Sequence, residues 1–440
     1  MASSRSQSVR AAAGSFIGTT VEWYDFYIYG FAAALVLGPL FFAGASSYVA
    51  TLSAFGTFAV GFIARPIGGL IFGHLGDRIG RKKILVTTLV MMGCATVGIG
   101  LLPTQAQVGV WAPILLVLLR LLQGFAVGGE WGGAVLLAAE HAPKGRQTFF
   151  ASFAQLGSPA GLVLALLIFQ VMGLTNQATF MAWGWRVPFL LSIVLLGVGL
   201  IIRASVEESP EFEALKKETQ QSAAPVKELM RDWLLPIILA IGANTFGIAA
   251  VYFFNTFMIA YATQYVGIPR PTILDALFWT AVAQFLSQPI AARIAEKVGN
   301  DRLFLQVCLF IAMLTPYPLF LLVGTGNFWL MLLGLVGNVV AGAASYSVIA
   351  GYISKIFPAR VRYSAISIAY QFCATIAGGL TPILGTMLAE NFKGLWWPLA
   401  VFASALAAVS YVCVTLIQRY QVAPEVRSGN ESTDALDAIA

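Results

Sequence analysis

Gly73-His74-Leu75-Gly76-Asp77-Arg78-Ile79-Gly80-Arg81-Lys82-Lys83 lies between two apolar runs, about 51–75 and 84–103. The same pattern returns in weaker form as Ala292-Arg293-Ile294-Ala295-Glu296-Lys297-Val298-Gly299-Asn300-Asp301-Arg302. At an offset of 219 residues Asp77 meets Glu296, Arg78 meets Lys297 and Gly80 meets Gly299. A second match lies further on: Pro143 corresponds to Pro358, and Arg146 and Gln155 share a nine-residue spacing with Arg362 and Gln371. Two matches at nearly one offset predict that the chain is two copies of one half.

The solvent of that fold follows from composition. Of 440 residues 58% are hydrophobic and only 10% are charged, against roughly 25% charged in a soluble domain. An apolar stretch of about 20 residues crosses the hydrocarbon core as a helix. Twelve such runs are present, about 14–38, 51–75, 84–103, 111–139, 147–172, 184–203, 233–262, 273–297, 303–323, 328–356, 363–390 and 395–418. The expected fold is all-α, twelve transmembrane helices in two six-helix pseudo-repeats. One long polar connector gives the divisions: a first bundle over 1–203, a linker over 204–232, a second bundle over 233–420 and a disordered tail over 421–440.

Lys and Arg concentrate on the cytoplasmic side of membrane proteins. With both termini in the cytoplasm, 21 of the 26 basic residues fall on that side; Arg186, Arg270 and Lys393 face out, and Arg65 and Arg120 fall inside. This topology accounts for the net charge of +6 without nucleic acid as a partner. Cys94, Cys308, Cys373 and Cys413 all lie in apolar runs and read as packing residues. His74 and His141 have no metal-ligand spacing, so no metal and no cofactor is expected. The polar, basic start and the length of the first apolar run argue against a cleavable signal peptide.

Charges inside a bilayer cost about 2.5–3.5 kcal/mol each and mark working sites. Glu22, Asp25, Arg65, Arg120 and Glu130 are such residues, all in the first half. Burial and a nearby Arg act oppositely on carboxylate protonation, so a rearranging cavity can load and release a proton. Asp25 and Glu130 are the leading candidates for that role, with Glu22 and Arg120 coupled to them. Arg65 or Arg120 suits an anionic group of a ligand. The competing reading is a set of fixed salt bridges between helices. Tyr24, Gln155, Asn244, Tyr252, Asn255, Tyr370 and Gln371 are uncharged polar positions suited to a polyol or hydroxy acid, or to interhelical hydrogen bonds. Gly69/Gly73, Gly124/Gly128 and Gly129/Gly133 have the spacing of close helix crossings.

The loop at 73–83 and Arg120-Leu121-Leu122-Gln123-Gly124 resemble the major facilitator superfamily. Val21-Glu22-Trp23-Tyr24-Asp25-Phe26, Ala64-Arg65-Pro66-Ile67-Gly68-Gly69, Gly128-Gly129-Glu130-Trp131-Gly132-Gly133 and Trp183-Gly184-Trp185-Arg186-Val187-Pro188-Phe189 narrow the resemblance. They look like the metabolite–proton symporter branch, which includes shikimate, α-ketoglutarate, citrate and proline/betaine permeases. The first half is most similar to the shikimate type. The resemblance implies a gating set, Gly73, Asp77, Arg78, Gly80 and Arg81 with Glu296 and Lys297, in which Asp77 and Arg78 lock the outward-open state. The second half departs from the pattern, with Asn300-Asp301 where a basic pair is usual.

The combined expectation is not an enzyme but a proton-coupled symporter. It would import a small organic acid, shikimate-like or a dicarboxylate, by alternating access, as a monomer in a bacterial inner membrane. Its partners would be that acid, protons and the lipid bilayer. The alternatives are symport of a zwitterionic osmolyte and proton-independent facilitation. No phosphate-binding GxxxxGK[ST], HExxH or GxSxG stretch is present to support an enzyme.

Overall fold

The computed structural model describes residues 2–43, 47–173, 176–208, 213 and 225–420. Most of the polar connector and the whole 421–440 tail lie outside the described residues. Among the described residues twelve principal helices follow the twelve apolar runs, and eight of them are long and apolar enough by themselves to cross a membrane. The first set is α1 (Ala2–Ala32), α2 (Ser47–Ile79), α3 (Arg81–Leu101), α4 (Trp111–Glu140), α5 (Gln147–Gly173) and α6 (Gly184–Ala204). The second set is α7 (Leu234–Asn255), α8 (Arg270–Val298), α9 (Asp301–Gly324), α10 (Phe328–Ser354), α11 (Arg362–Cys373) and α12 (Trp397–Ile417). A wider π turn carries α11 on into Gly379–Asn391. No strand occurs among the described residues.

The repeat is visible in backbone detail. Gly80 ends α2 at φ 114° and Gly299 ends α8 at φ 69°. Only glycine takes such angles without steric cost, so the matched glycines both end a helix at positive φ, Gly80 with ψ 147° and Gly299 in the left-handed region with ψ 6°. A π turn follows α1 at Ala33–Leu37, and another runs through the end of α7 at Phe253–Phe257. Asn300 caps α9 by accepting from the Leu303 N–H. In the first half that capping role passes to Glu208, which accepts from the Arg81 and Lys82 N–H groups of α3.

One expectation needs correction. The 73–83 stretch is not a glycine-rich loop: α2 remains helical through Ile79 and only Gly80 leaves the helix. Gly73 and Gly76 serve helix crossing instead of turning. A Cβ on Gly73 would lie 2.9 Å from the Ser364 Cα, and one on Gly76 would meet the Tyr363 ring. The α2–α4 crossing is tighter still. A Cβ on Gly124 would stand 2.1 Å from the Gly61 carbonyl oxygen, and one on Gly128 2.4 Å from that of Arg65.

The halves meet chiefly where α2 packs on α11 and α5 packs on α8. Large apolar side chains such as Ile201, Ile238, Phe310, Leu333 and Val412 point outward, as a lipid-facing belt requires. The start of α1, the end of α12 and the basic connectors gather on one face. There Ser8 donates to the His141 carbonyl, and Arg81 to the Ala359 carbonyl. Also on this face, a short linker helix, Pro225–Asp232, buries Leu229 and pairs Glu228 with Arg360 at 2.7 Å.

Candidate functional site

The α1 stretch Glu22 to Phe26 distributes its side chains to two places. Asp25, fully buried, points into the first bundle. Its Oδ2 accepts from Thr96 of α3 at 2.6 Å, and its Oδ1 from Ser192 of α6 at 2.9 Å. Thr96 in turn accepts from Gln123 Nε2 at 2.7 Å, and Arg120 donates to Gln123 Oε1. The result is a continuous hydrogen-bonded chain, Arg120–Gln123–Thr96–Asp25–Ser192. The Arg120 guanidinium also lies 3.9 Å over the Tyr29 ring. Among the described residues Asp25 has no ion-pair partner.

Glu22 and Arg65 occupy the second place, between the halves. The Arg65 guanidinium lies 3.9 Å over Phe26 and 4.4 Å over Phe62, and Phe62 in turn packs edge-on against Tyr252 across the interface. The Arg65 Nε has no hydrogen-bond partner, and neither has Glu22 Oε2, although both residues are buried. Around them stand Trp23, Tyr27, Phe62 and Tyr252. Next to this group Trp131 stacks on Tyr370 at 3.7 Å and donates to Gln155, and Tyr370 meets Tyr346 through their hydroxyls at 3.0 Å. Gln155 reaches the Tyr346 carbonyl, and Gln371 that of Val127.

Two expected binding residues lie elsewhere. Tyr24 donates to the Pro188 carbonyl inside the first bundle. Asn244 bonds the Ala240 carbonyl of its own helix. Asn255 falls in the π turn at the end of α7, half-buried.

Glu130 is held differently from Asp25. Both its oxygens accept from Arg203 of α6, and Thr88 donates to Oε2 at 3.0 Å. Arg203 further donates to the Leu85 carbonyl at 2.7 Å. Arg203, one of the basic residues that the sequence places on the cytoplasmic side, is only 1% exposed and points into the bundle. The apolar run reaches the surface just there, so charge and hydropathy gave no sign of the inward turn. Gly18, whose absent Cβ makes room for this guanidinium, was the signal available in the sequence.

On the basic face the halves are tied together. Asp77 Oδ2 accepts from the Ser364 N–H (2.9 Å) and hydroxyl (2.8 Å), and Oδ1 accepts from the Tyr363 N–H. Arg81 and Arg362 both pair with Glu140, at 3.1 and 3.3 Å. Glu296 accepts from the Phe149 N–H at 2.8 Å and faces Arg146 at 3.8 Å. Lys355 and Thr148 converge on Asp301. Arg78 and Lys297, expected to reach across, are exposed; Arg81 makes the crossing contact instead. His141, just past α4, donates from Nδ1 to the Leu137 carbonyl, and burial holds its pKa below the ordinary histidine value. Sequence reasoning missed Glu140, Arg203, Thr96 and Ser192. Gln123 was within reach, three residues and so one helical turn from Arg120.

Two six-helix halves enclosing buried charges, closed at one face by contacts between them, define a secondary transporter. The chain belongs to the major facilitator superfamily. Residues 11–233 match the family model described as sugar (and other) transporter, and residues 245–436 match that of the Major Facilitator Superfamily. The shikimate transporter of Escherichia coli K12 is 39% identical over 95% of this chain and 96% of that protein. The proline/betaine transporter of the same organism is 32% identical over 92% and 82%. Among solved structures, the proton:xylose symporter XylE bound to 6-bromo-6-deoxy-D-glucose superposes with a TM-score of 0.74, at 18% identity over 94% of this chain and 96% of that one. The inward-open form of the Escherichia coli xylose transporter scores 0.63, at 17% identity over 97% and 98%. The protein is therefore an integral membrane transporter of small molecules, in a family of transporters and not of enzymes.

Proposed function

We propose that the protein is a proton-coupled symporter that imports a small organic acid across a bacterial inner membrane by alternating access. In this reading it works as a monomer, with 1–203 and 233–420 as the moving halves and the basic face with both termini in the cytoplasm. The observation that carries it is the contrast between two buried acids: Asp25 has hydroxyl donors only, whereas Glu130 is neutralised by Arg203. Asp25 is thus the acid free to change protonation, and the Gln123–Thr96 link ties it to Arg120. Arg65 supplies a buried guanidinium edge for the substrate carboxylate. Trp131, Gln155, Tyr346, Tyr370 and Gln371 surround it with hydroxyls, amides and ring faces. The 39% identity to a shikimate transporter supports a hydroxylated acid. At about 150 mV each net positive charge moved inward supplies about 3.5 kcal/mol, enough for several hundredfold accumulation.

One observation favours a second reading. Glu22 Oε2 is buried without a partner beside aromatic rings, and an ammonium group would satisfy both. A zwitterionic osmolyte would then bridge Arg65 and Glu22. Uptake into proteoliposomes with an imposed pH gradient, using shikimate, dicarboxylates and glycine betaine, separates the two. We expect the acids to accumulate and the collapse of the gradient to abolish it. Accumulation unaffected by that collapse would remove the symport reading, and accumulation of betaine alone would favour the second.

A further inference from the structure

Away from the central site, a cavity of about 270 Å³ opens at the basic face between α9 and α12, lined by Arg302, Thr415, Leu416, Gln418 and Arg419. Two guanidinium groups thus border one cavity. Arg302 donates to Gln418, which turns its guanidinium toward the end of α12. The Arg302 Nε is buried and has no hydrogen-bond partner. Arg419 is exposed, and no acid pairs with it among the described residues. The neighbouring acid does not neutralise the pair, because Asp301 is occupied by Lys355 and Thr148. Thr415 accepts from Gln306 and donates to Tyr411, closing the inner wall.

Position decides what kind of anion fits. The cavity sits where spanning helices leave the apolar belt. Leu303, Val307 and Phe310 of α9 and Val409, Val412 and Leu416 of α12 are exposed along the adjoining turns. A ligand there meets two cations at its head and aliphatic side chains below. Basic pockets between helix ends at a membrane surface suit anionic headgroups.

We infer that this cavity is a binding site for the phosphodiester headgroup of an anionic phospholipid, held by Arg302 and Arg419, with its acyl chains along α9 and α12. The inference is independent of the transported substrate and of proton coupling, and it concerns whichever leaflet meets the basic face. Each arginine at a membrane surface contributes about fivefold in affinity, so the pair contributes about 25-fold.

The test uses the full chain in nanodiscs of phosphatidylcholine carrying a photoactivatable phosphatidylglycerol, with the labelled peptides mapped. Label on the peptides bearing Arg302 and Thr415 to Arg419 is the expected result, and label confined to other helices overturns the site. Native mass spectrometry then counts phosphatidylglycerol retained by the unmodified chain and by Arg302→Gln/Arg419→Gln. The double variant should lose about 25-fold in affinity while its elution profile stays the same, and unchanged retention overturns the assignment. If the double variant does not fold, the photolabelling of the unmodified chain decides. Displacement of the label by millimolar inorganic phosphate would make the site one for free phosphate, which also overturns the lipid assignment.

Discussion

Asp77 and Glu296, 219 residues apart, do the same thing in opposite directions: each accepts backbone N–H groups at the start of a helix in the other half. Asp77 holds Tyr363 and Ser364 of α11, and Glu296 holds Phe149 of α5. A carboxylate at a helix N-terminus gains both from the hydrogen bonds and from the helix dipole. The two caps are therefore ties between halves, and under the proposed alternating access both break when this face opens.

Their strengths differ, and so should the consequences of removing them. Asp77 is buried and accepts three hydrogen bonds, whereas Glu296 is partly exposed and accepts one, with Arg146 at 3.8 Å. Asp77→Asn keeps an acceptor but loses the charge, at about 1 kcal/mol or somewhat more. The expected outcome is a five- to tenfold rise in the population open at the basic face. Alkylation of a cysteine placed at Ser367, under the closure, measures it. Glu296→Gln should shift the same reading less than threefold, and a reversed order would show that the two caps are not equivalent ties.

Glu130 and Arg203 make a stability prediction. Removing one partner of a buried ion pair leaves the other charge without compensation, at about 3–5 kcal/mol. Glu130→Gln should therefore lower the thermal unfolding temperature in detergent and reduce membrane yield. Glu130→Gln with Arg203→Met removes both charges and should recover most of the loss. A single variant as stable as the parent would mean that the pair is not maintained in the folded protein.

Much of this was legible in the sequence because membrane insertion leaves strong marks. Apolar runs gave the twelve helices, and the two offset matches gave the repeat, down to the paired glycines Gly80 and Gly299 that each end a helix at positive φ. Residue depth was legible as well, which is why Asp25, Arg65, Arg120 and Glu130 stood out. Partnership was not legible. Whether Glu130 meets Arg203 or Arg120 depends on the rotation of α4 and α6 about their axes, and an apolar helix in lipid carries little amphipathic signal to fix that rotation. Glu140 and Arg81 likewise read as ordinary helix-end charges until folding brings α3, α4 and α11 together.

The glycine crossings can be tested by contrast. Gly124 lies against the Gly61 carbonyl with no room for a methyl group, whereas nothing stands within 4 Å of the Cβ position of Gly197 on α6. Gly124→Ala forces α2 and α4 apart and should cost about 1–3 kcal/mol, read as a lower unfolding temperature. Gly197→Ala should be neutral or slightly stabilising, because alanine favours the helix. Equal effects at the two sites would remove close packing as the reason for glycine at 124.

The hydrogen-bonded chain at Asp25 carries the last prediction. Thr96 has one proton to give and two acceptors within reach, Asp25 Oδ2 at 2.6 Å and the Met92 carbonyl at 3.0 Å. While Asp25 is a carboxylate, the hydroxyl points to it. Once Asp25 holds a proton, its own O–H needs an acceptor, and the Thr96 oxygen becomes one when the hydroxyl turns to Met92. Gln123, which donates to that same oxygen, then shares it with a second donor, and the change passes to Arg120. Thr96→Val removes the rotor while keeping the shape of the side chain, so substrate affinity should lose most of its pH dependence. Thr96→Ser retains a hydroxyl and should preserve it. Substrate binding measured by calorimetry across a pH series checks both, and a valine variant with the parent's pH dependence would show that Thr96 takes no part in coupling.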